Sequence, residues 1–215
     1  MDLQPFTVGG AIKEGWRLTK ENLGFLLAYE IILFLVCVLL GAIHDGFILA
    51  IVHFIGWLVC LLIKLGLYNS SLLITAGIKP GFDQMYKNYP LLLSWIIASI
   101  LFGIMFVIGL VLLIVPGLYV WAKYGFFPFF ILDKKAGPIE ALKLSGKATE
   151  GIRWHIFLLF LACLGLNLLG IILLGVGLLF TIPTTLLALA IVYRRISSRI
   201  QSFNETWRSA NLDNR

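Results

Sequence analysis

The fold is decided by residues 90–132, PLLLSWIIASILFGIMFVIGLVLLIVPGLYVWAKYGFFPFFIL, where Lys123 is the only charged residue. The apolar run before Val115-Pro116-Gly117 exceeds the roughly 20 residues that a helix needs to cross a bilayer, and the run after it approaches that length. Proline next to glycine is typical of a turn, so we predict a tight turn at this tripeptide. The stretch therefore indicates two membrane-spanning helices joined by a short loop.

The composition of the whole chain agrees with this interpretation. Hydrophobic residues make up 60% of the 215 residues and charged residues 13%, whereas soluble domains average about 45–50% and 25%. A soluble core of this size cannot bury so much apolar surface, so lipid has to cover the remainder. The net charge of +6 does not indicate nucleic-acid binding, because the basic residues form short clusters between apolar runs.

The same pattern recurs along the chain and predicts an all-α membrane protein with six transmembrane helices in three hairpins. The other two outer turns are predicted at His44-Asp45-Gly46 and at Gly175-Val176-Gly177. The second apolar stretch is longer than a bilayer requires, so we expect it to be tilted, broken near Gly66, or continued as a helix beyond the membrane. The single transmembrane domain 1-215 has predicted spans at 23-43, 47-76, 90-114, 117-132, 154-174 and 178-193, followed by a basic tail at 194-215.

The distribution of lysine and arginine predicts the orientation. All but two of the 17 basic residues lie in the terminal segments or in the two connections that follow the second and fourth spans. Because basic residues are retained on the cytoplasmic side, we predict that both termini are cytoplasmic.

A short segment of mixed polarity precedes each hairpin, as in the elbow at 7-21 and in GPIEALKLSGKATEG at 137–151. We predict amphipathic elbow helices on the cytoplasmic face, with basic residues towards anionic lipid headgroups. The alternative is a helix packed on another part of the same protein. The predicted membrane-surface residues are Lys13, Trp16, Arg17, Lys20, Lys143 and Lys147.

The three hairpins also resemble one another. Lys64-Leu65-Gly66 in the second span matches Lys123-Tyr124-Gly125 in the fourth, and Val115-Pro116-Gly117 is similar to Ile182-Pro183-Thr184. Since each unit contains two crossings, such repeats would be parallel and related by an axis along the membrane normal.

Three segments carry a resemblance to a known family: AIKEGWRLTKEN at 11–22, IVPGLYVWAKYGFFPFFILDKKAGPIEALKLSGKATEG at 114–151, and LLGVGLLFTIPTTLLALAIVYRRI at 173–196. Together they resemble uncharacterised six-helix bacterial membrane proteins related to the membrane domain of glycerophosphodiester phosphodiesterases. The resemblance implies placement in the bacterial cytoplasmic (inner) membrane. It implies no reaction, because those phosphodiesterases carry their catalytic domain outside this region.

Charged residues inside the predicted spans are the candidates for a binding site. Glu30 lies in the first span, Lys64 in the second and Lys123 in the fourth. A charge at mid-membrane is costly, so such residues usually face the bundle interior, where they are paired or reach water. One hypothesis is a substrate-binding anion pocket with Lys64 and Lys123, balanced by Glu30. The alternatives are a Glu30–lysine pair that fixes helix packing, or lysines that extend to an interface.

Signatures of enzymes are missing from the sequence. There is no HExxH, no GxSxG, no P-loop and no glycine-rich dinucleotide fingerprint. The histidines and cysteines lie in different regions of the sequence without metal-ligand spacing. We therefore predict no catalytic residue, no metal site and no cofactor.

These observations lead to three hypotheses for function. The first is a non-enzymatic scaffold or accessory protein of the cell envelope, with lipids, a membrane-protein partner or a second copy as its partners. The second is a small transporter or lipid-binding protein that uses Lys64, Lys123 and Glu30. The third, a membrane enzyme acting on lipid headgroups, requires clustered acid and base groups that the sequence does not show.

Overall fold

A computed structural model describes the backbone of residues 6–41, 47–112, 114–173 and 175–212, and the side chains of residues 6–40, 52–112, 115–173 and 175–198. These parts contain helices and connections but no strand. The turn predicted at His44-Asp45-Gly46 lies outside the described residues. The helices are α1 (Val8–Glu21), α2 (Leu23–Gly41), α3 (Phe47–Thr75), α4 (Gln84–Lys87), α5 (Leu92–Leu112), α6 (Ile114–Tyr124), α7 (Phe127–Lys134), α8 (Pro138–Ala148), α9 (Arg153–Ile172) and α10 (Leu178–Leu212).

Within these residues, six helical stretches are long and apolar enough to cross a membrane. The prediction of an all-α protein with six such stretches is confirmed. The stretches are Leu23–Leu40, Val52–Thr75, Gln84–Leu112, Val115–Lys134, Arg153–Ile172 and Leu178–Ser198.

Burial divides the six stretches into an outer and an inner set. Within an 18-residue window of each stretch, only 17%, 17% and 28% of residues are buried in the first, third and fifth, whereas the second, fourth and sixth reach 44%, 50% and 56%. The inner set is therefore α3, the pair α6 and α7, and α10, and the outer set is α2, α5 and α9. The long second stretch has no break near Gly66, because α3 continues through it to Thr75.

The fourth stretch differs from its prediction at both ends of α6. The turn predicted at Val115-Pro116-Gly117 is wrong, because these residues form the first turn of α6. Proline is well tolerated there, since the first helical N–H groups have no partner inside the helix. The helix then ends at Tyr124, and α7 begins at Phe127. Pro128 explains the break, because it has no N–H for the carbonyl four residues earlier.

The turn predicted at Gly175-Val176-Gly177 is confirmed. Gly175 has a φ of +77°, which side chains with a Cβ rarely adopt. The chain on either side of this turn packs closely at two glycines. A Cβ on Gly170 would lie 3.1 Å from the carbonyl carbon of Gly177.

Each short amphipathic segment packs against an inner helix. α1 packs on α10 at Gly15, where a Cβ would lie 2.7 Å from the carbonyl oxygen of Thr184. α4 packs on α3 at Gly66, where a Cβ would lie 2.6 Å from the carbonyl oxygen of Gln84. α8 packs on α6 at Gly146, in contact with Lys123. The short helices therefore pack on other parts of the same protein, which is the alternative given above to a position facing lipid headgroups.

The core lies where the inner helices meet. Every residue of α7 from Phe127 to Leu132 is buried. The Phe129 ring is 5.3 Å from that of Tyr68 on α3 and 5.2 Å from that of Tyr193 on α10, measured between centroids. Aromatic contacts of this kind join the three inner helices into one packed unit.

Candidate functional site

A crevice between α5, α6, α8 and the start of α9 gathers positive charge. Its volume is about 560 Å³. We call it the basic crevice and define it by the charged and apolar residues that line it: Leu101, Met105, Lys123, Tyr124, Ile139, Leu142, Lys143, Gly146, Lys147, Glu150 and Arg153.

The crevice is held in place by hydrogen bonds that end α6. The hydroxyls of Ser145 and Thr149 both donate to the carbonyl oxygen of Lys123, each at 3.1 Å. The N–H of Phe126 donates to the Ser145 hydroxyl at 3.3 Å. The last carbonyls of a helix have no partner inside it, so α8 supplies partners that α6 requires. These bonds fix the backbone of Lys123 against α8.

The side chain of Lys123 lies between aromatic rings. Its Nζ is 4.9 Å from the centroid of Tyr124 and 5.8 Å from that of Tyr119. A lysine ammonium is attracted to the face of an aromatic ring, and the attraction is stronger away from water. Gly146 leaves room for the lysine chain, because a Cβ there would lie 3.3 Å from Lys123 Cε.

Arg153 approaches the same tyrosine from α9. Its NH1 donates to the Tyr119 hydroxyl at 2.7 Å, and its Cζ is 5.2 Å from the ring centroid. The Nε of Arg153 is buried and has no hydrogen-bond partner among the described residues. Tyr119 therefore holds two cations, Lys123 and Arg153, close to one ring.

The cations of the basic crevice form no close ion pair with a carboxylate among the described residues. Lys143 and Lys147 add two exposed cations one turn apart on α8, and Glu150 is the acidic residue in the lining. In the described part of the chain, the ion pairs within 4.0 Å involve Arg17, Lys87 and Lys134 and none of the four crevice cations. Cations held close together without carboxylate partners form a site for an anion.

One wall of the basic crevice is apolar. Leu101 and Met105 come from α5, and Ile139 and Leu142 come from α8. Ile139 is 59% exposed, so this wall continues onto the outer surface. The crevice therefore offers cations and a hydrocarbon surface to one ligand.

A larger cavity, of about 1220 Å³, lies between α1, the ends of α3 and α7, and the middle of α10. Several of its charged groups have partners. The hydroxyl of Tyr193 donates to Asp133 at 2.7 Å, Lys134 lies 3.2 Å from the same carboxylate, and Arg194 donates to the carbonyl oxygen of Thr75 at 2.7 Å. These bonds tie together the ends of the inner helices, so we give this cavity a structural role.

The three residues predicted to form an anion pocket do not line one cavity. Glu30 is buried, its Oε1 has no hydrogen-bond partner among the described residues, and Lys64 is its charged neighbour. Lys123 lines the basic crevice, and neither Glu30 nor Lys64 belongs to that lining. The structure thus places Lys64 near enough to Glu30 to act on its charge, without an ion pair within 4.0 Å among the described residues, and places Lys123 with a different set of cations.

The predicted surface residues of α1 lie on its exposed side. Arg17 forms ion pairs with Glu14 and with Glu21, the latter at 3.1 Å, and the Nζ of Lys20 lies 5.8 Å from the Trp16 ring centroid. The hydrogen bond from Arg17 lowers the pKa of Glu14 below its ordinary value. Lys13 is also exposed, whereas Lys143 and Lys147 belong to the basic crevice.

Arg153 and Tyr119 were not singled out as site residues by the sequence analysis. In the sequence Arg153 is one of the basic residues that predict the orientation, and Tyr119 is one aromatic residue among many in an apolar run. Their hydrogen bond joins residues 34 positions apart, and no local spacing indicates it. The available signal is the Lys143–Lys147 pair four residues apart, which predicts one basic face of α8.

Metal binding has no support within the described residues, where no group of three His, Cys, Asp or Glu side chains is placed to hold an ion. Cys37 and Cys60 are neighbours, with their sulfur atoms 3.7 Å apart. This contact joins α2 to α3.

Comparison with known proteins gives one match. A family model described as a protein of unknown function (DUF975) matches residues 91–200. The matched part contains every residue of the basic crevice, whereas Glu30 and Lys64 lie outside it. No curated protein matches the chain. No solved structure matches it either. The match agrees with the predicted resemblance to an uncharacterised family but gives no link to glycerophosphodiester phosphodiesterases.

Proposed function

The chain belongs to the DUF975 family, and we propose that it is a multi-pass membrane protein that binds the headgroup of an anionic lipid in the basic crevice. The observation that carries this proposal is the set of four cations without carboxylate partners beside an apolar wall. Lys123 and Arg153 both lie against the Tyr119 ring. Two cations held on one ring suit a single anion of the size of a phosphate group. Lys143 and Lys147 add long-range attraction.

A lipid fits this crevice better than a free anion does. Leu101, Met105, Ile139 and Leu142 would be of no use to a small soluble phosphate, but they suit the first methylene groups of an acyl chain. The exposed part of Ile139 leads this wall out towards the surrounding lipid. The shared chemistry of both sources is the phosphate group, so the test includes each.

The proposed setting is the cytoplasmic leaflet of a bacterial inner membrane. The supporting observation is that lysine and arginine are concentrated in the terminal segments and in the connections that follow the second and fourth spans. Basic residues at this level of a bilayer attract anionic headgroups. We propose that the protein binds the lipid and catalyses no reaction. A scaffold or accessory role in the cell envelope is a second prediction, and lipid binding would serve that role. The relation to the phosphodiesterase membrane domain stays a prediction from sequence.

Thermal unfolding of the purified protein in detergent, with added lipid, tests the proposal. We expect phosphatidylglycerol to raise the midpoint, because a ligand that binds only the folded state stabilises it. Phosphatidylcholine and soluble glycerol phosphate should give a much smaller shift. The variant Lys123→Gln/Arg153→Gln should lose the shift, with an affinity at least about tenfold lower, because two charge-assisted hydrogen bonds are removed.

A matched control separates a specific site from surface attraction. Lys13→Gln/Lys79→Gln removes the same amount of charge from two exposed positions outside the crevice. This control should keep the shift with phosphatidylglycerol. Equal losses in both double variants would show general attraction to charge and would contradict the proposed site. An equal shift with glycerol phosphate would assign the site to a soluble anion.

A further inference from the structure

A third cavity lies between the inner helices and α5 and α9. Its volume is about 430 Å³, within the range of about 300–1,000 Å³ that is usual for ligand pockets. Aromatic residues are the largest group in its wall. The aromatic lining residues are Tyr68, Trp95, Phe102, Trp121, Phe127, Phe129 and Phe160.

The lining carries no charged side chain, but two of its polar atoms lack partners. Trp95 is only 8% exposed, and its Nε1 is buried without a hydrogen-bond partner among the described residues. Asn167 donates from Nδ2 to the Thr185 hydroxyl at 3.4 Å, and its Oδ1 has no partner. A buried donor and a buried acceptor left unpaired are costly, so both are candidates for bonds to a ligand.

A groove between α3 and α5 adjoins this cavity on the outer surface. The groove has a volume of about 310 Å³, and Trp95 and Ser99 line both the groove and the cavity. At the groove, Trp57 is 48% exposed and Ile100 is 57% exposed. In a membrane these exposed residues contact acyl chains, so the groove opens to lipid and not to water.

We infer that the third cavity binds an uncharged single-chain amphiphile that enters from the bilayer between α3 and α5. One polar group of this ligand accepts a hydrogen bond from Trp95 Nε1, and another, such as a hydroxyl, donates one to Asn167 Oδ1. The aromatic lining covers its chain. An anionic headgroup is disfavoured because no cation lines the cavity.

The volume favours one chain over two. A methylene group is close to a water molecule in size, about 30 Å³, so the cavity of about 430 Å³ holds about 14 such groups. The adjoining groove of about 310 Å³ holds about 10 more, which leaves room for one chain of the size of monoolein. A two-chain phospholipid would not fit. The ligand therefore differs from the lipid proposed for the basic crevice, and the two proposals do not depend on each other.

Native mass spectrometry of the protein released from nanodiscs tests this inference, with monoolein as the probe. Oleate is the charged comparison and hexadecane the comparison without a polar group. We expect monoolein to bind more tightly than either. Trp95→Phe and Asn167→Leu should each weaken monoolein binding about five- to tenfold, because each removes one hydrogen bond to the ligand.

Stability without ligand provides a second readout. Trp95→Phe removes an unpaired N–H and keeps an aromatic ring, so the unliganded variant should be as stable as the wild type. Trp154→Phe alters an exposed tryptophan outside the cavity and the groove and should leave monoolein affinity unchanged. Lys123→Gln/Arg153→Gln should also bind monoolein normally, which separates this inference from the function proposed for the basic crevice.

The entry route has its own test. Ser99→Trp places a large ring in the wall that the groove and cavity share and should block monoolein loading. Ile104→Trp changes an exposed residue of the same helix and should not affect loading. The inference is overturned if Trp95→Phe binds monoolein as tightly as the wild type, or if hexadecane or oleate binds equally well. It is also overturned if monoolein loads normally into Ser99→Trp.

Discussion

The bundle has two halves that differ in hydropathy and use their apolar residues in opposite ways. The packed half contains α7, α8 and the part of α10 around Tyr193, and it buries every residue from Phe127 to Leu132. The exposed half contains the later parts of α2, α5 and α9, where side chains such as Val111 and Ile172 are 81% and 74% exposed. The outer stretches have mean hydropathies of 2.4–2.7 and the inner ones 1.2–1.7. A single apolar residue therefore does not show whether protein or lipid covers it, whereas the mean hydropathy of its stretch does.

Small and hydroxyl residues distinguish the packed half. Gly15, Gly66 and Gly146 let α1, α4 and α8 approach the inner helices. Hydroxyl groups then bond across these contacts, as between Thr19 and Thr184 at 3.1 Å. Without a hydrophobic driving force between helices in lipid, such close packing and hydrogen bonding hold membrane helices together. The same half carries the basic crevice, so rigid packing supports the proposed site.

The largest expected difference between the halves comes from removing a phenylalanine ring. Phe129→Ala should destabilise the protein by about 3–5 kcal/mol, because it leaves a cavity in the packed half. Phe129 is 1% exposed, whereas Phe34 on α2 is 64% exposed. Phe34→Ala should cost less than about 1 kcal/mol, since lipid covers that ring in any state of the bundle. Unfolding in mixed micelles measures both, and equal losses would remove the distinction between the halves.

Adding volume should have the next largest effect. Gly66→Leu should destabilise by about 1–3 kcal/mol, because its Cβ would meet the backbone of Gln84. Gly103→Leu is the control, because nothing lies within 4 Å of a Cβ at Gly103 on α5. Replacing glycine in a helix otherwise stabilises by about 0.8–1.0 kcal/mol. The control should therefore be neutral or stabilising under the same denaturant titration, and a destabilised control would show tight packing at Gly103 as well.

A smaller effect is expected for the hydrogen bond between α1 and α10. A double-mutant cycle with Thr19→Val and Thr184→Val should give a coupling energy of about 0.6 kcal/mol, the average for such bonds in membrane bundles. Both hydroxyls are buried and lie 3.1 Å apart. A coupling energy of zero would mean that α1 does not dock on α10 through this pair.

The smallest effect concerns the exposed pair of Glu14 and Arg17. The pKa of Glu14 is lowered in the folded state by its hydrogen bond to Arg17. The pair therefore contributes stability above the unfolded pKa of Glu14, and this contribution is lost as the pH falls through the lowered pKa. Because the pair is exposed, the difference between wild type and Glu14→Gln should be slight at pH 7 and vanish in acid. A difference that grows in acid would contradict this sign.

Much of the fold could be predicted from the sequence, because long apolar runs have few alternatives to crossing a membrane. The turn at Val115-Pro116-Gly117 was wrong because proline suits the first turn of a helix as well as a loop. The break before α7 was missed since Phe126-Phe127-Pro128 continues the apolar run on which the span was based. The docking of α1 was left open because an amphipathic helix can face lipid or protein.

The candidate site was predicted only in part. Lys123 was found because a charge inside an apolar run is conspicuous, but its partners were not. Arg153 comes from another helix, and its position beside Tyr119 depends on how α8 turns the chain back towards α6. Glu30 and Lys64 have the same sequence signal as Lys123, and only the packing places them elsewhere. Tertiary contacts of this kind leave no local pattern.

Retention of lipid by the purified protein is the most direct test of headgroup binding in the basic crevice. The wild type and the variant Lys123→Gln/Arg153→Gln would be released from nanodiscs that contain phosphatidylglycerol and phosphatidylcholine, and native mass spectrometry would count the lipids that stay bound. We expect one retained phosphatidylglycerol on the wild type and on Lys13→Gln/Lys79→Gln, and none on Lys123→Gln/Arg153→Gln. Equal retention by the wild type and the crevice variant would contradict it.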